Sequence, residues 1–143
     1  MASAAISVLV ALSLVGCSAF REFVPPGTFN TVNQARDELD LETAGEIQVE
    51  GEFGGAIVSD QGPTYLAVIE GESAPSVIES RLLELGYSKT SSELGTTLWK
   101  RVSADDSVVE ITLDAVDAGD EFGIGDREIV TVEATGASIE IRG

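Results

Sequence analysis

Histidine is missing from all 143 residues, cysteine occurs once, and only two lysines stand beside six arginines. Each scarcity removes a class of chemistry. Without imidazole the chain has neither the commonest general base nor the usual nitrogen ligand of a metal. Ser–His–Asp and Cys–His arrangements are therefore excluded, and a zinc site lacks its nitrogen and sulfur donors. One cysteine cannot close an intramolecular disulfide, so the fold must be held by packing. Eight basic residues against 25 acidic ones leave a formal charge of −17. Nucleic acid is excluded as a partner, because a phosphate backbone needs Lys and Arg to displace its counterions. A polybasic dock on anionic lipid is disfavoured for the same reason.

The position of the one cysteine says more. Residues 1–16 carry no ionisable side chain, and Ala4 to Val15 is apolar except for Ser7 and Ser13. A membrane-spanning helix needs about 20 apolar residues. This run is shorter and matches the apolar region of a secretory signal. It closes in Leu14-Val15-Gly16-Cys17, which resembles the lipobox of bacterial lipoproteins: an aliphatic residue, a tolerated small or branched one, Gly or Ala, then Cys. The resemblance covers only the first 17 residues, and it departs from the pattern in having no Lys or Arg near the start. It implies cleavage between Gly16 and Cys17 and a diacylglyceryl thioether on Cys17. The domain would then be lipid-anchored at the cell membrane, on its extracytoplasmic face. Each buried methylene contributes about 0.8 kcal/mol, and two acyl chains anchor stably where one is marginal. The same residues have three other readings: a small buried cysteine in an N-terminal core helix, secretion after cleavage at Ala19, and a short uncut anchor.

The chain divides accordingly into a signal peptide over residues 1–16, a tether over residues 17–30 and one domain over residues 31–143. Pro25-Pro26-Gly27 blocks helix and strand alike in the tether. Phe20, Phe23 and Phe29 argue against a purely disordered tether, and Phe29 is expected to fold back onto the domain. A helix is predicted from Thr31 to about Thr43, with Thr31 and Gln34 as a capping box, Val32, Ala35 and Leu39 on one face, and Gly45 as the stop. Glu46 to Ser59 reads as a hairpin around Gly51, Gly54 and Gly55. Thr64 to Glu70 is apolar on both faces and should be a central strand. Ser73 is expected to cap a helix from Ala74 to Leu85, with Pro75 in its first turn. Its stripe is Ile78, Leu82 and Leu85, broadened by Val77, and Gly86 ends it. Period-two strands follow at Thr96 to Val102 and Val108 to Val116. Glu128 to Ala134 and Ser138 to Arg142 are expected to close the chain as a hairpin around Thr135-Gly136. The sum is a two-layer α+β fold: a mainly antiparallel sheet with one or two helices on one face. The other face would show Glu110, Asp114 and Glu140 to water.

One stretch stands out as a candidate site. Asp117 to Asp126 gathers Asp117, Asp120, Glu121 and Asp126 among three glycines, where a loop of two to five residues would serve. Oxygen ligands of this kind suit a hard cation such as calcium, although the spacing is not the Asp-x-Asp-x-Asp-Gly of an EF-hand. Phe122 and Ile124, on the same loop, are candidate contacts for a partner protein. The leading functional reading is a non-catalytic binding or assembly module of the cell envelope, displayed by lipid, with another envelope protein as partner. The alternative is a cation- or ligand-binding lipoprotein using residues 117–126, and the third is a hydrolase acting on cell-wall material through a carboxylate pair.

Overall fold

Period-two apolar stretches place the main strands in one sheet. The computed structural model describes residues 23–56, 61–124 and 128–143. In order these form helix α1 (Asn30–Leu39), a 3-10 turn (Leu41–Thr43), β1 (Glu46–Phe53), β2 (Thr64–Glu70), helix α2 (Ala74–Glu84), β3 (Ser88–Glu93), β4 (Thr96–Val102), β5 (Val108–Val116), β6 (Glu121–Ile124), β7 (Glu128–Thr131) and β8 (Gly136–Arg142). Six strands make an antiparallel sheet in the order β1-β2-β8-β5-β4-β3, while β6 and β7 pair separately. Both helices lie against β8 and β5, and α1 also touches β2. The molecule is an α+β fold of two layers, with its helices on one sheet face.

The core follows from the alternation. Tyr65, Ile141, Ile111 and Trp99 stand side by side across β2, β8, β5 and β4, and each is buried. Ala67, Ile139 and Leu113 form the next row. Onto these rows α1 sets Val32, Ala35 and Leu39, and α2 sets Ala74, Ile78 and Leu82. Leu85 is only partly buried against the core, and Val77 stays exposed. The Trp99 indole donates to Thr97 Oγ1 at 2.9 Å, so its one polar atom is satisfied inside the protein. Phe29 packs against the core, having been turned back by the Thr28 hydroxyl, which donates to Pro25 O at 2.7 Å.

Several boundaries differ from the sequence reading, each for a physical reason. Helix α1 starts at Asn30 without a side-chain cap, and Gln34 donates to Glu38 Oε1 instead of closing a capping box. It stops at Leu39 because Asp40 adopts a left-handed conformation. Ser73 sits at the start of α2 without a capping hydrogen bond, and the helix ends one residue earlier than expected. There Gly86, at φ +82°, lets Tyr87 N donate to Leu82 O and Gly86 N donate to Leu83 O. That pair of bonds is the Schellman closure. Of the hairpin expected within residues 46–59, only the first arm is among the described residues. Glu46–Phe53 is one strand paired with β2, and residues 57–59 of that expectation lie outside the described residues.

The end of the chain departs most. Gly136–Arg142 does not pair with the preceding strand but inserts between β2 and β5. It is buried on both faces over most of its length, which suits a sheet centre and not an edge hairpin. Gly136 fits there because a Cβ would lie 1.9 Å from Ile69 O. Glu128–Thr131 pairs with Glu121–Ile124, and Phe122 of that excursion joins Val68, Val116, Val132 and Val49 in a small second cluster on the helix-free face. The face therefore keeps Glu110 exposed, while Asp114 and Glu140 are half-buried.

Two arginines tie the layers together. Arg101 on β4 donates to Glu38 Oε2 at 2.6 Å and to Leu85 O at 3.3 Å, and stacks 4.5 Å from the Tyr87 ring centroid. Arg81 on α2 donates twice to the Glu38 carbonyl. Cations thus answer the open carbonyls at the ends of both helices. Partial burial pushes the Glu38 carboxyl up, but the hydrogen bonds from Arg101 and Gln34 and the Arg101 charge outweigh it, and the net shift is down.

Adjacent leucines on α2 test this packing. Leu82 is fully buried and Leu83 is 64% exposed. Leu82→Ala is expected to cost about 2–5 kcal/mol through the cavity it leaves, and Leu83→Ala less than about 0.5 kcal/mol. Urea unfolding followed by the fluorescence of Trp99 checks both.

Candidate functional site

The end of α1 and the start of the sheet enclose a depression of about 360 Å³, lined by Arg36, Asp37, Asp40, Leu41, Glu42, Ile47, Glu50 and Tyr65. Its shape comes from Asp40, at φ 50° and ψ 58°. A left-handed residue with a Cβ costs roughly 1–2 kcal/mol, less for Asp than for most. The turn is fixed by Thr43, whose amide and hydroxyl both donate to Asp40 O, at 3.0 and 2.7 Å. Through this kink Leu41 is buried while Asp37, Asp40 and Glu42 stay at the surface.

The opposite wall is β1. Ile47 and Glu50 stand opposite Ile69 and Ala67 of β2, and Glu52 stands opposite Tyr65. The Tyr65 hydroxyl reaches out from the core and donates to Glu50 Oε2 at 2.5 Å. The Arg36 guanidinium lies 5.4 Å from the Tyr65 ring centroid and pairs with Asp37 at 3.2 Å and Glu52 at 3.8 Å. Arg36 is thereby occupied. Among the described residues Asp40, Glu42 and Glu50 have no ion pair. The α1 C-terminus adds the negative end of a helix dipole to the same place. A hollow lined by carboxylates without an ion pair among the described residues, and by Leu41, Ile47 and Tyr65, favours a cation that brings an apolar stem.

Burial pushes the Tyr65 phenol far up, and the hydrogen bond and charge of Glu50 push it further, against the smaller opposite pull of Arg36. The phenol thus stays protonated as the donor to Glu50.

The stretch singled out in the sequence is built differently. β5 runs to Val116, and Asp117-Ala118-Gly119-Asp120 is a tight turn. Asp120 Oδ2 accepts from Asp117 N at 2.8 Å, Asp120 N donates to Asp117 O, and Gly119 N donates to Val132 O. Asp120 thus closes its own turn, and Glu121 opens β6 opposite Thr131. Among the described residues no three His, Cys, Asp or Glu side chains are gathered as metal ligands. Phe122 is half-buried and packs against the Val68 cluster. Asp126 and the side chain of Ile124 lie outside the described residues, as do Gly16 and Cys17. Among the described residues no helix is long and apolar enough to cross a membrane.

Sequence reasoning missed the α1–β1 hollow because its residues come from a helix end, a turn and two strands, and no sequence pattern shows that these meet. One signal was present: three acids cluster at a helix C-terminus, where the dipole opposes them. Comparison of the chain with family models, with curated proteins and with solved structures gave no match.

The chain has two tyrosines, and burial raises Tyr87 as well, against the charge of Arg101. A phenol raised in the folded state contributes stability that is complete below its unfolded value near pH 10 and is lost as pH climbs toward the folded value. An alkaline titration read by phenolate absorbance is expected to show no step near pH 10. The absorbance should rise only when the Trp99 signal reports unfolding.

Proposed function

We propose that this protein is a non-catalytic binding module, carried on the extracytoplasmic face of a cell membrane by lipid on Cys17, and that it grips a cationic group in the hollow between α1 and β1. The observation that carries the binding half is a hollow lined by Asp40, Glu42 and Glu50, which have no ion pair among the described residues, together with Leu41, Ile47 and Tyr65, although one Glu50 oxygen already accepts from the Tyr65 hydroxyl. A lysine or arginine side chain uses both, the floor for its methylene stem and the carboxylates for its head. The lipid half rests on the resemblance of Leu14-Val15-Gly16-Cys17 to a lipobox. A role without catalysis is supported by the absence of histidine. The turn at Asp117–Asp120 gives a cation less support, because the Asp120 carboxylate already accepts from Asp117 N.

Each half has its own experiment. Cells fed a labelled fatty acid are expected to label the wild-type chain and to leave Cys17→Ser unlabelled; an unlabelled wild type overturns the anchor. For the hollow, calorimetric titration with a lysine oligomer at low salt is compared between two triple variants. Asp40→Asn with Glu42→Gln and Glu50→Gln should weaken binding by about tenfold or more, or about 1.4 kcal/mol. Asp117→Asn with Asp120→Asn and Glu121→Gln removes the same formal charge and should change it far less. Equal losses would reduce the interaction to diffuse attraction by an acidic surface.

A further inference from the structure

Among the described residues the sheet ends in two strands whose outer edges are unpaired, and they are built differently. β3 is exposed at almost every residue, and its register slips between Lys89 and Ser91. Lys89 leans 4.9 Å from the Trp99 ring centroid and pairs with Glu79 at 2.9 Å. A short strand of polar residues, bulged and carrying a lysine, is how a sheet edge is closed to further pairing.

β1 has a defended end and an open one. Its bulge falls between Ile47 and Val49, and the Gln48 amide there donates to Thr131 O at 3.1 Å and accepts from Glu133 N at 3.1 Å. The β6–β7 excursion thus covers the start of β1. Beyond the bulge, Val49, Glu50, Gly51, Glu52 and Phe53 pair with β2 in unbroken register. Among the described residues these five make no backbone hydrogen bond outside that ladder. Five residues is the ordinary length of a strand. The acidic hollow opens along this same strand, with Glu50 in its wall.

We infer that Val49–Phe53 is a strand-addition site, and that its occupant is an extended, basic segment of a partner protein whose lysine or arginine side chain enters the α1–β1 hollow. The inference rests on the proposed binding role and adds the mode of binding and the class of ligand. Main-chain bonds to the β1 edge would hold the segment, and the hollow would select one side chain, as in other strand-addition complexes. Side chains of an added strand alternate between faces, so every second residue meets the helix side, where Glu50 and Glu52 stand. Arg36 already shows that this wall accepts a guanidinium, lying over Tyr65 and pairing with Glu52. A second copy of this chain does not fit, because its own β1 would bring Glu46, Glu50 and Glu52 against the same three residues.

The experiment uses the chain from Cys17 onward, with Cys17→Ser, and a short synthetic peptide alternating lysine and threonine. The control is the same peptide with alternate backbone nitrogens methylated, which keeps every charge but removes main-chain donors. Titration is expected to show the control binding about tenfold more weakly, consistent with the loss of one or two net hydrogen bonds. Amide hydrogen exchange should show new protection within Val49–Phe53 and none within Ser88–Glu93. Equal binding of the two peptides, abolished in the Asp40, Glu42 and Glu50 triple variant, would overturn strand addition while leaving the cation-binding hollow standing. Equal binding that survives the triple variant would overturn both. Protection at Ser88–Glu93 instead of Val49–Phe53, or self-association of the chain without peptide, would overturn the choice of edge and occupant.

Discussion

The last strand holds the sheet together. β1 and β2 form one pair and β3, β4 and β5 another ribbon, and only Gly136–Arg142 joins them. It pairs at seven positions with β2 and at seven with β5, and both helices rest on it. A two-stranded ribbon is marginal in water on its own, so the hydrophobic rows through Ile139 and Ile141 become continuous only when the end of the chain arrives. Such a topology places its most rewarding contacts at large sequence separation, where loop closure must be met first. The start of β8 leaves room for nothing larger than glycine at Gly136, which fixes the strand's position against Ile69 as well as its pairing.

What could be read beforehand was whatever the local pattern alone determines. Thr64–Glu70 is apolar on both faces and is central; Val108–Val116 alternates and is half-covered; Ala74–Glu84 carries its stripe, its early proline and its terminal glycine where each belongs. What could not be read was pairing. Ser88–Glu93 has no apolar pattern because an edge strand has little to bury, so its sequence looks like a loop. Ser138–Arg142 and Glu128–Thr131 look like hairpin partners because they are near neighbours, yet the former is too buried to sit at an edge. The acid-rich stretch after Asp117 drew attention by composition, and it proved to be a self-closing turn and a short hairpin. The hollow at α1 escaped notice because its floor and walls come from three separate segments, brought together by the sheet.

Charge is distributed along the strands unevenly. One row across the sheet runs Thr64, Arg142, Glu110, Lys100 and Ser88, and the next contains Lys89. At the opposite strand ends Glu46 faces Glu70 directly, and Glu93 and Asp117 lie at the exposed ends of β3 and β5. Like charges paired across strands are destabilising by fractions of a kcal/mol, so the fold tolerates a cost at that end. The row with Arg142 is also where the chain leaves the tether: Gly143 lies against Thr31 and Val32, and Gly55 against Thr28 and Phe29. On the proposed lipid anchor, the less negative end would sit toward anionic headgroups and the acidic end away from them, within a potential that decays over about 8 Å at physiological salt.

The same reasoning explains why Asp40, and not glycine, ends α1. Gly45 was the natural stop by sequence, since a left-handed residue without Cβ costs nothing there. Asp40 instead takes that conformation itself and is locked in it by Thr43. The carboxylate then stands beside the open carbonyls of the helix, where the dipole repels it, and among the described residues no cation answers it. Glu38, two residues earlier in the last turn of the helix, shows what the fold does with a structural acid: it supplies Arg101 and Gln34 to the side chain and Arg81 to the carbonyl. Among the described residues Asp40 and Glu42 have no ion pair and Glu50 answers only the Tyr65 hydroxyl, while Arg36 of the same helix is taken up by Asp37 and Glu52. An acid without an ion pair thus stands, among the described residues, beside a strand whose outer edge is also open, two deficits that a single basic, extended segment would satisfy together.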